Sequence, residues 1–230
     1  MKRISIFFIT TLLIACGGYH GILGSTRGYT ASDITVQSDI NVSGLRIRYS
    51  TRDAKEVEKG LCPSGKVAMI ELSGPIGPDS SEILERILSK AKPCNHLNAW
   101  VYLSSNGGRL SDGYKLANIF KKYSVFTIVM DGQTCASACA IAYLGGEIRT
   151  VMGDGQLVFH APYVKNPITG DAQCKTRAES EELRDFYISL IGRKDGAYLF
   201  ERTMDSCSTT GGWVINKDAA KMFGIANIVK

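Results

Sequence analysis

The stretch VFTIVMDGQTCASACAIAYL, residues 125–144, decides how this chain is read. Val125 to Met130 is a continuous apolar run rich in β-branched and aromatic residues, which predicts a strand buried on both faces. Asp131-Gly132 break the run. From about Ala136 to Leu144 the residues are small and apolar, which predicts a helix. Strand, turn and helix in this order make the opening of a parallel crossover.

The same unit recurs upstream. Lys66-Val67-Ala68-Met69-Ile70-Glu71-Leu72 reads as a strand, broken by Gly74-Pro75-Ile76-Gly77-Pro78. Asp79, with Glu82 three residues on, predicts a capping box opening a helix. Ile83, Leu84, Ile87, Leu88 and Ala91 supply that helix's apolar face, and Pro93 ends it. Ala99 to Leu103 is a second strand, Ser104-Ser105-Asn106-Gly107-Gly108 a turn, and Leu110, Tyr114, Ala117 and Phe120 the buried face of a second helix. Gln156 to His160 is a fourth strand. Alternation at this length predicts an α/β fold with a mostly parallel sheet, right-handed crossovers and cover on both faces. Residues 17–60, rich in Gly, Ser, Thr and Asn, read as a tether followed by irregular or hairpin structure.

In open α/β sheets, sites form beyond the C-terminal ends of the strands. Three segments fall at such ends: Asn106-Gly107-Gly108, Gln133 to Cys139 around Ser137, and His160-Ala161-Pro162. Singly these are a turn, a helix N-cap and a structural histidine. Together they offer a hydroxyl, a base and a flexible backbone on one sheet edge.

The running order resembles the proteolytic subunit of Clp peptidase within the Clp/crotonase superfamily. The resemblance rests on Ser73-Gly74-Pro75-Ile76, Ser104 to Gly108, Gly132 to Ala138, Gly145 to Arg149 and Phe159-His160-Ala161-Pro162. Trp213 to Ile225 matches the family's closing helix and turn, so the resemblance spans residues 66–230. It looks closest to exported relatives carrying Cys-x-Ser-Ala-Cys. It implies a Clp/crotonase-like repeated core with Ser137 as nucleophile and His160 as the base that takes its proton. The backbone N–H groups of Gly108 and Ala138 would then bind the oxyanion. The family's third member, an aspartate, falls in this chain near Gly211, which has no side chain. Asp205 is the substitute expected, with a short insertion containing Cys207 between. The resemblance also implies that residues from about Arg177 to Met204 form a handle helix, which in Clp subunits joins rings and here suggests self-association.

The N-terminus predicts export. Met1-Lys2-Arg3 is a positive start, and Ile4 to Ala15 is an apolar run too short to span a bilayer. Leu13-Ile14-Ala15-Cys16 resembles a bacterial lipobox, which implies cleavage after residue 15 and lipidation of Cys16. Gly17-Gly18 lack an inner-membrane retention aspartate, so the resemblance points to an envelope protein facing the periplasm, at the outer more than the inner membrane. The organisation expected is a signal peptide over 1–15, a tether over 16–60 and one domain over 61–230.

Six cysteines remain after Cys16 in a total of 7, an even number that suits an oxidising compartment. Cys62 and Cys94 precede the first two core strands at one sheet edge, and Cys174 and Cys207 bracket the helical excursion; both pairs are candidate disulfides. Cys135 and Cys139 would share a face of a helix, where a bridge is strained, so this pair is expected to bridge less readily than the others.

The net charge is +5, of which Lys2 and Arg3 supply two. The remainder is too small to argue for nucleic acid. No P-loop is present, so no ATPase partner is expected, and no cofactor or metal is implied. The expected function is an envelope serine peptidase acting on a peptide or protein. The alternatives are a non-catalytic lipoprotein using the fold as a binding module, and a crotonase-like acyl-CoA enzyme, which generally needs carboxylates at its site. A Ser–Lys dyad is a variant of the peptidase reading that His160 argues against.

Overall fold

The computed structural model describes residues 34–54, 65–91, 99–166, 168–169 and 171–227. Lys66–Ser73 (β3), Trp100–Ser104 (β4), Phe126–Val129 (β5) and Ile148–Val151 (β7) form a parallel block in that order. The block is extended by a hairpin of Ile34–Val42 (β1) and Leu45–Asp53 (β2), with β2 antiparallel to β3. The sheet therefore begins well before residue 61: of the irregular or hairpin structure expected within residues 17–60, the described part is a hairpin, and it contributes two of the six strands. Along β2, Leu45 and Ile47 are buried and alternate with Arg46 and Arg48, the period-2 signature of a strand with one face on the core.

Ser80–Leu88 (α1), Leu110–Lys122 (α2) and Ala138–Tyr143 (α3) pack into one core with Ile47, Ile70, Leu72, Val101, Leu103 and Val129. The opposite set of side chains, among them Val67, Met69, Tyr102 and Ile128, forms a smaller cluster to which none of the described helices contributes. Val67, Tyr102 and Ile128 are nonetheless buried on this face, where Trp100 and Phe126 close the cluster edge to face and the Arg52 guanidinium lies over Trp100. Asp79 precedes α1 with φ 68 and makes no side-chain cap, so the expected capping box does not form. The helix also ends at Leu88, short of Pro93.

Two glycines let α2 and α3 meet backbone to backbone. A Cβ on Gly113 would lie 2.8 Å from the Ala138 carbonyl oxygen, and one on Gly145 would lie 2.1 Å from that of Ala117. Any larger residue would push α3, and the turn before it, out of place.

The second sheet carries the site. Thr134–Ala136 (β6), Gln156–Phe159 (β8) and Trp213–Ile215 (β11) pair in the order β11-β8-β6. The small-residue stretch read as helix from Ala136 thus opens as a strand, and helix starts at Ala138. The Ser105 N–H donates to the Thr134 carbonyl and the Ala136 N–H to that of Ser105, joining this sheet to the end of β4.

The handle is not one helix. Glu181–Ile191 (α4) and Arg193–Met204 (α5) form a helical hairpin broken at Gly192, whose φ of 90 a side chain would resist. Before it, Tyr163–Lys165 (β9) and Ala172–Cys174 (β10) make a small β-hairpin. Lys217–Met222 (α6) is capped by the Asn216 side chain. The buried Arg149 guanidinium donates to the carbonyls of Gly146, Gly224 and Ile225, pinning the closing turn to β7. No helix among the described residues is long and apolar enough to cross a membrane. Cys16, Cys62 and Cys94 lie outside the described residues.

Candidate active site

Ser137 sits at the corner where β6 turns into α3, with φ 55 and ψ −122. A non-glycine residue at positive φ is held there by its surroundings at a cost of about 1–3 kcal/mol. The Ser137 N–H donates to the Val158 carbonyl at 2.8 Å, and its carbonyl accepts from the Ile141 N–H at 3.1 Å. One bond belongs to the strand side and the other to the helix side, so the residue is fixed across a sharp strand-to-helix turn. Its side chain faces a cleft rather than capping α3.

Gly107 and Gly108 form the facing wall. The Ile76 N–H donates to the Gly107 carbonyl and the Arg109 N–H to the Ile76 carbonyl. That pattern turns the Gly108 N–H away from Ile76. Among the described residues neither this N–H nor that of Ala138, at the first turn of α3, has an acceptor within the chain. A Cβ on Gly107, at φ 97, would come within 2.6 Å of the Ser137 Cβ and 3.1 Å of the Ala138 nitrogen. A Cβ on Gly108 would lie 1.9 Å from the Ile76 oxygen. Glycine at both positions is thus a packing requirement.

His160 follows β8 directly, one residue beyond the strand that holds Ser137. Its Nδ1 lies 2.9 Å from the Ala161 carbonyl oxygen. A carbonyl can only accept, so this contact assigns a proton to Nδ1; in the neutral ring the basic nitrogen is then Nε2. Tyr163 packs on the imidazole, with ring centroids 5.6 Å apart and planes inclined at 31°.

Asp205 is brought near but not onto the histidine. Its neighbour Ser206 accepts from the Ala161 N–H through its carbonyl. The Asp205 carboxylate itself is bound at 2.5 Å by Arg177, which also holds Glu201 at 2.7 Å. In this arrangement the expected third member is engaged elsewhere, and the polar partner of His160 is a neutral backbone carbonyl.

Ser137 and His160 line two adjoining clefts. One, of about 480 Å³, is polar, walled by Gly74, Ser104, Asn106, Gly107, Thr134 and Thr209. The other, of about 360 Å³, has walls that include Leu110, Ile141, Phe159, Leu183 and Tyr187. Burial pushes the Tyr187 phenol far above its ordinary value, so it is a neutral part of that wall. The charged side chains lining these clefts are the cations Arg109 and Lys175, with no carboxylate among the lining residues. Among the described residues no group of three His, Cys, Asp or Glu is arranged to hold a metal.

The cysteines differ from expectation at one pair. Cys174 and Cys207 are bridged, with Cα atoms 5.9 Å apart, tying the β9–β10 hairpin to the chain beyond α5. Cys135 and Cys139 are bridged too, at 5.2 Å. The expected strain assumed a continuous helix; the corner at Ser137 brings the two residues together instead. Tyr163, Lys175 and Thr209 were not anticipated. Tyr163 could have been suspected from its place just after His160-Ala161-Pro162, whereas Lys175 and Thr209 reach the cleft through tertiary packing alone.

No protein-family model matches the chain, and no curated protein sequence matches it. Solved structures do. A serine-to-alanine variant of the 1510-N membrane-bound stomatin-specific protease is similar with a TM-score of 0.56 at 16% identity, over 70% of this chain and 77% of that one. A lysine-to-alanine variant of the same protease, in complex with a substrate peptide, gives 0.56 at 17% identity, over 70% and 73%. The ClpP protease catalytic domain from Plasmodium falciparum gives 0.50 at 19% identity, over 69% and 82%. At these identities the likeness shows a Clp-protease-like α/β fold.

Proposed function

We propose that this chain is a serine peptidase of the bacterial envelope, exported, lipid-anchored through Cys16 and independent of ATP. Ser137 attacks the scissile carbonyl while Nε2 of His160 takes the hydroxyl proton and returns it to the leaving amine. The N–H groups of Gly108 and Ala138 bind the negative oxygen that forms. The observation that carries this reading is the corner at Ser137: a serine held at φ 55, its side chain on the cleft that His160 also lines, beside two N–H groups that have no acceptor among the described residues. The protease names of the structural neighbours support it. The substrate is an extended peptide laid along Gly74 and Gly107-Gly108, with an apolar side chain in the cleft walled by Leu110, Ile141 and Phe159. The helical hairpin α4–α5 is the surface proposed for self-association, which light scattering of the purified chain would detect as a mass above one copy.

A second reading, a binding module that has lost catalysis, is favoured by one observation: the Asp205 carboxylate is bound to Arg177 and not to His160. Internally quenched peptides with apolar residues at the cleavage site separate the two. The peptidase reading requires turnover that disappears in both Ser137→Ala and His160→Ala. Binding of the same peptides without turnover would establish the module.

A further inference from the structure

The disulfide Cys135–Cys139 spans the two residues on either side of Ser137. Cys135 lies in β6 and Cys139 in the first turn of α3, and both are 0% exposed. The bridge limits what Ser137 can do. A disulfide requires Cα atoms within roughly 4.4–6.8 Å. Opening Ser137 towards the β region moves the Cys135 and Cys139 Cα atoms apart from 5.2 Å, in the direction of the about 13 Å that four fully extended steps would span, so the closed bridge opposes that change. Extending α3 backwards through Ser137 keeps a span near 6 Å. That rearrangement would strip Cys135 and Ala136 from β6, where Thr134 and Ala136 are bonded to Ser105. The positive φ at Ser137 is therefore the conformation that satisfies bridge, strand and helix together. Once the bridge opens, the extended alternative becomes available to a residue that is otherwise held at a cost.

We infer that closure of Cys135–Cys139 sets the reactive conformation of Ser137, so that oxidation of this pair switches the nucleophile on. The inference rests on the serine-peptidase reading and adds its regulation. Closure removes two protons and two electrons from the thiols and passes them to a disulfide oxidant, which is reduced to two thiols. Because neither sulfur reaches solvent, the bond forms as the chain folds rather than in the finished protein. A chain folded in a reducing compartment stays off, and one folded after export is on. Cys207, by contrast, is exposed, and its bridge to Cys174 lies beside the hairpin and not across the nucleophile.

The test compares the full oxidised chain with Cys135→Ala/Cys139→Ala. Three quantities are read: the rate of fluorophosphonate labelling, the thermal midpoint, and the backbone 13C shifts of Ser137, which report its φ. The expected result is a folded variant whose labelling is at least tenfold slower and whose Ser137 shifts leave the positive-φ range. If the variant does not fold, the wild type is unfolded and refolded with dithiothreitol present, its free Cys135 and Cys139 are verified by alkylation after denaturation and mass mapping, and it is read in the same way beside Cys174→Ala/Cys207→Ala, which controls for loss of the other bridge. Labelling within twofold of wild type with unchanged Ser137 shifts overturns the inference. A wild type that never labels, beside a control peptidase that does, refutes the peptidase reading instead; the Ser137 shifts then decide the conformational half on their own.

Discussion

Replacing Gly107 with alanine puts a methyl group into the wall that faces Ser137. Its Cβ would lie 2.6 Å from both the Ala136 carbonyl oxygen and the Ser137 Cβ. Real Cβ atoms essentially never come closer than 3.0 Å, so the loop must retreat by at least about 0.4 Å, and by more to reach ordinary contact. Neither neighbour can yield cheaply: one is backbone of β6, and the other is tied at both its N–H and its carbonyl. The φ of 97 adds the cost of a left-handed alanine, about 1–3 kcal/mol. Retreat of Gly107 carries the Gly108 N–H with it, away from the Ala138 N–H. Loss of one oxyanion donor costs about 10²–10³ in rate, and a 1 Å misplacement costs about 10². Gly107→Ala is therefore expected to cut turnover of a quenched peptide about a hundredfold while lowering the thermal midpoint by several degrees. Pre-steady-state and saturation kinetics should place the larger part of the loss in kcat, because the displaced N–H binds an oxygen that carries its charge only in the transition state. A folded variant that turns over at the wild-type rate would refute the assignment of Gly108 and Ala138 as the oxyanion site.

Three other substitutions probe separate parts of the account. Asp205→Asn should lower turnover less than tenfold, because the carboxylate serves Arg177; a loss near 10⁴, the scale seen when a triad acid is neutralised, would put Asp205 on His160 during reaction. Removing the Cys174–Cys207 bridge, which closes a separation of 33 residues, should lower the unfolding free energy by about 3–4 kcal/mol on the loop-entropy estimate, read from urea denaturation; an unchanged midpoint would show that the hairpin base is held by packing alone. Glu71 tests the pH dependence: burial pushes its carboxyl above the ordinary range, and Arg48 at 3.7 Å offsets only part of that. A carboxyl whose folded pKa is raised penalises the folded state above that pKa, and the penalty vanishes as pH falls through it. Glu71→Gln should thus raise the thermal midpoint at pH 7, with the advantage shrinking as pH falls through the raised pKa and gone below the unfolded-chain value of about 4.3; a variant less stable at pH 7 contradicts the sign.

The parallel core was legible because its strands are largely continuous apolar runs, interrupted in the first by Glu71. Residues 66–72, 99–103, 125–130 and 156–160 each announced a buried strand: β3, β4 and β5 of the parallel block lie where the first three runs fall, whereas the fourth is β8 of the second sheet and the block is completed by the short β7, for which the sequence announced no strand. The hairpin β1–β2 was expected only as an alternative to irregular structure, because Leu45 and Ile47 alternate with Arg46 and Arg48 and the segment around them is largely polar. What could not be read was set by tertiary contacts. Thr134–Ala136 has no periodicity of its own and becomes a strand only because Ser105 and β8 offer it bonds. The bridge at Cys135 and Cys139 depends on a corner that side-chain pattern does not encode. Asp205 stood at a plausible distance from His160 along the chain, while the arginine that binds it comes from 28 residues upstream. Gly192 was a visible break in the handle, read through as helix because apolar residues continue on both sides.

The central claim is that Ser137 is an activated nucleophile. It is tested most directly by incubating the oxidised chain with a fluorophosphonate and mapping the adduct by peptide mass spectrometry. One adduct is expected, on Ser137, lost in Ser137→Ala and strongly slowed in His160→Ala. No adduct on the wild-type chain, or one that persists in Ser137→Ala, would contradict it.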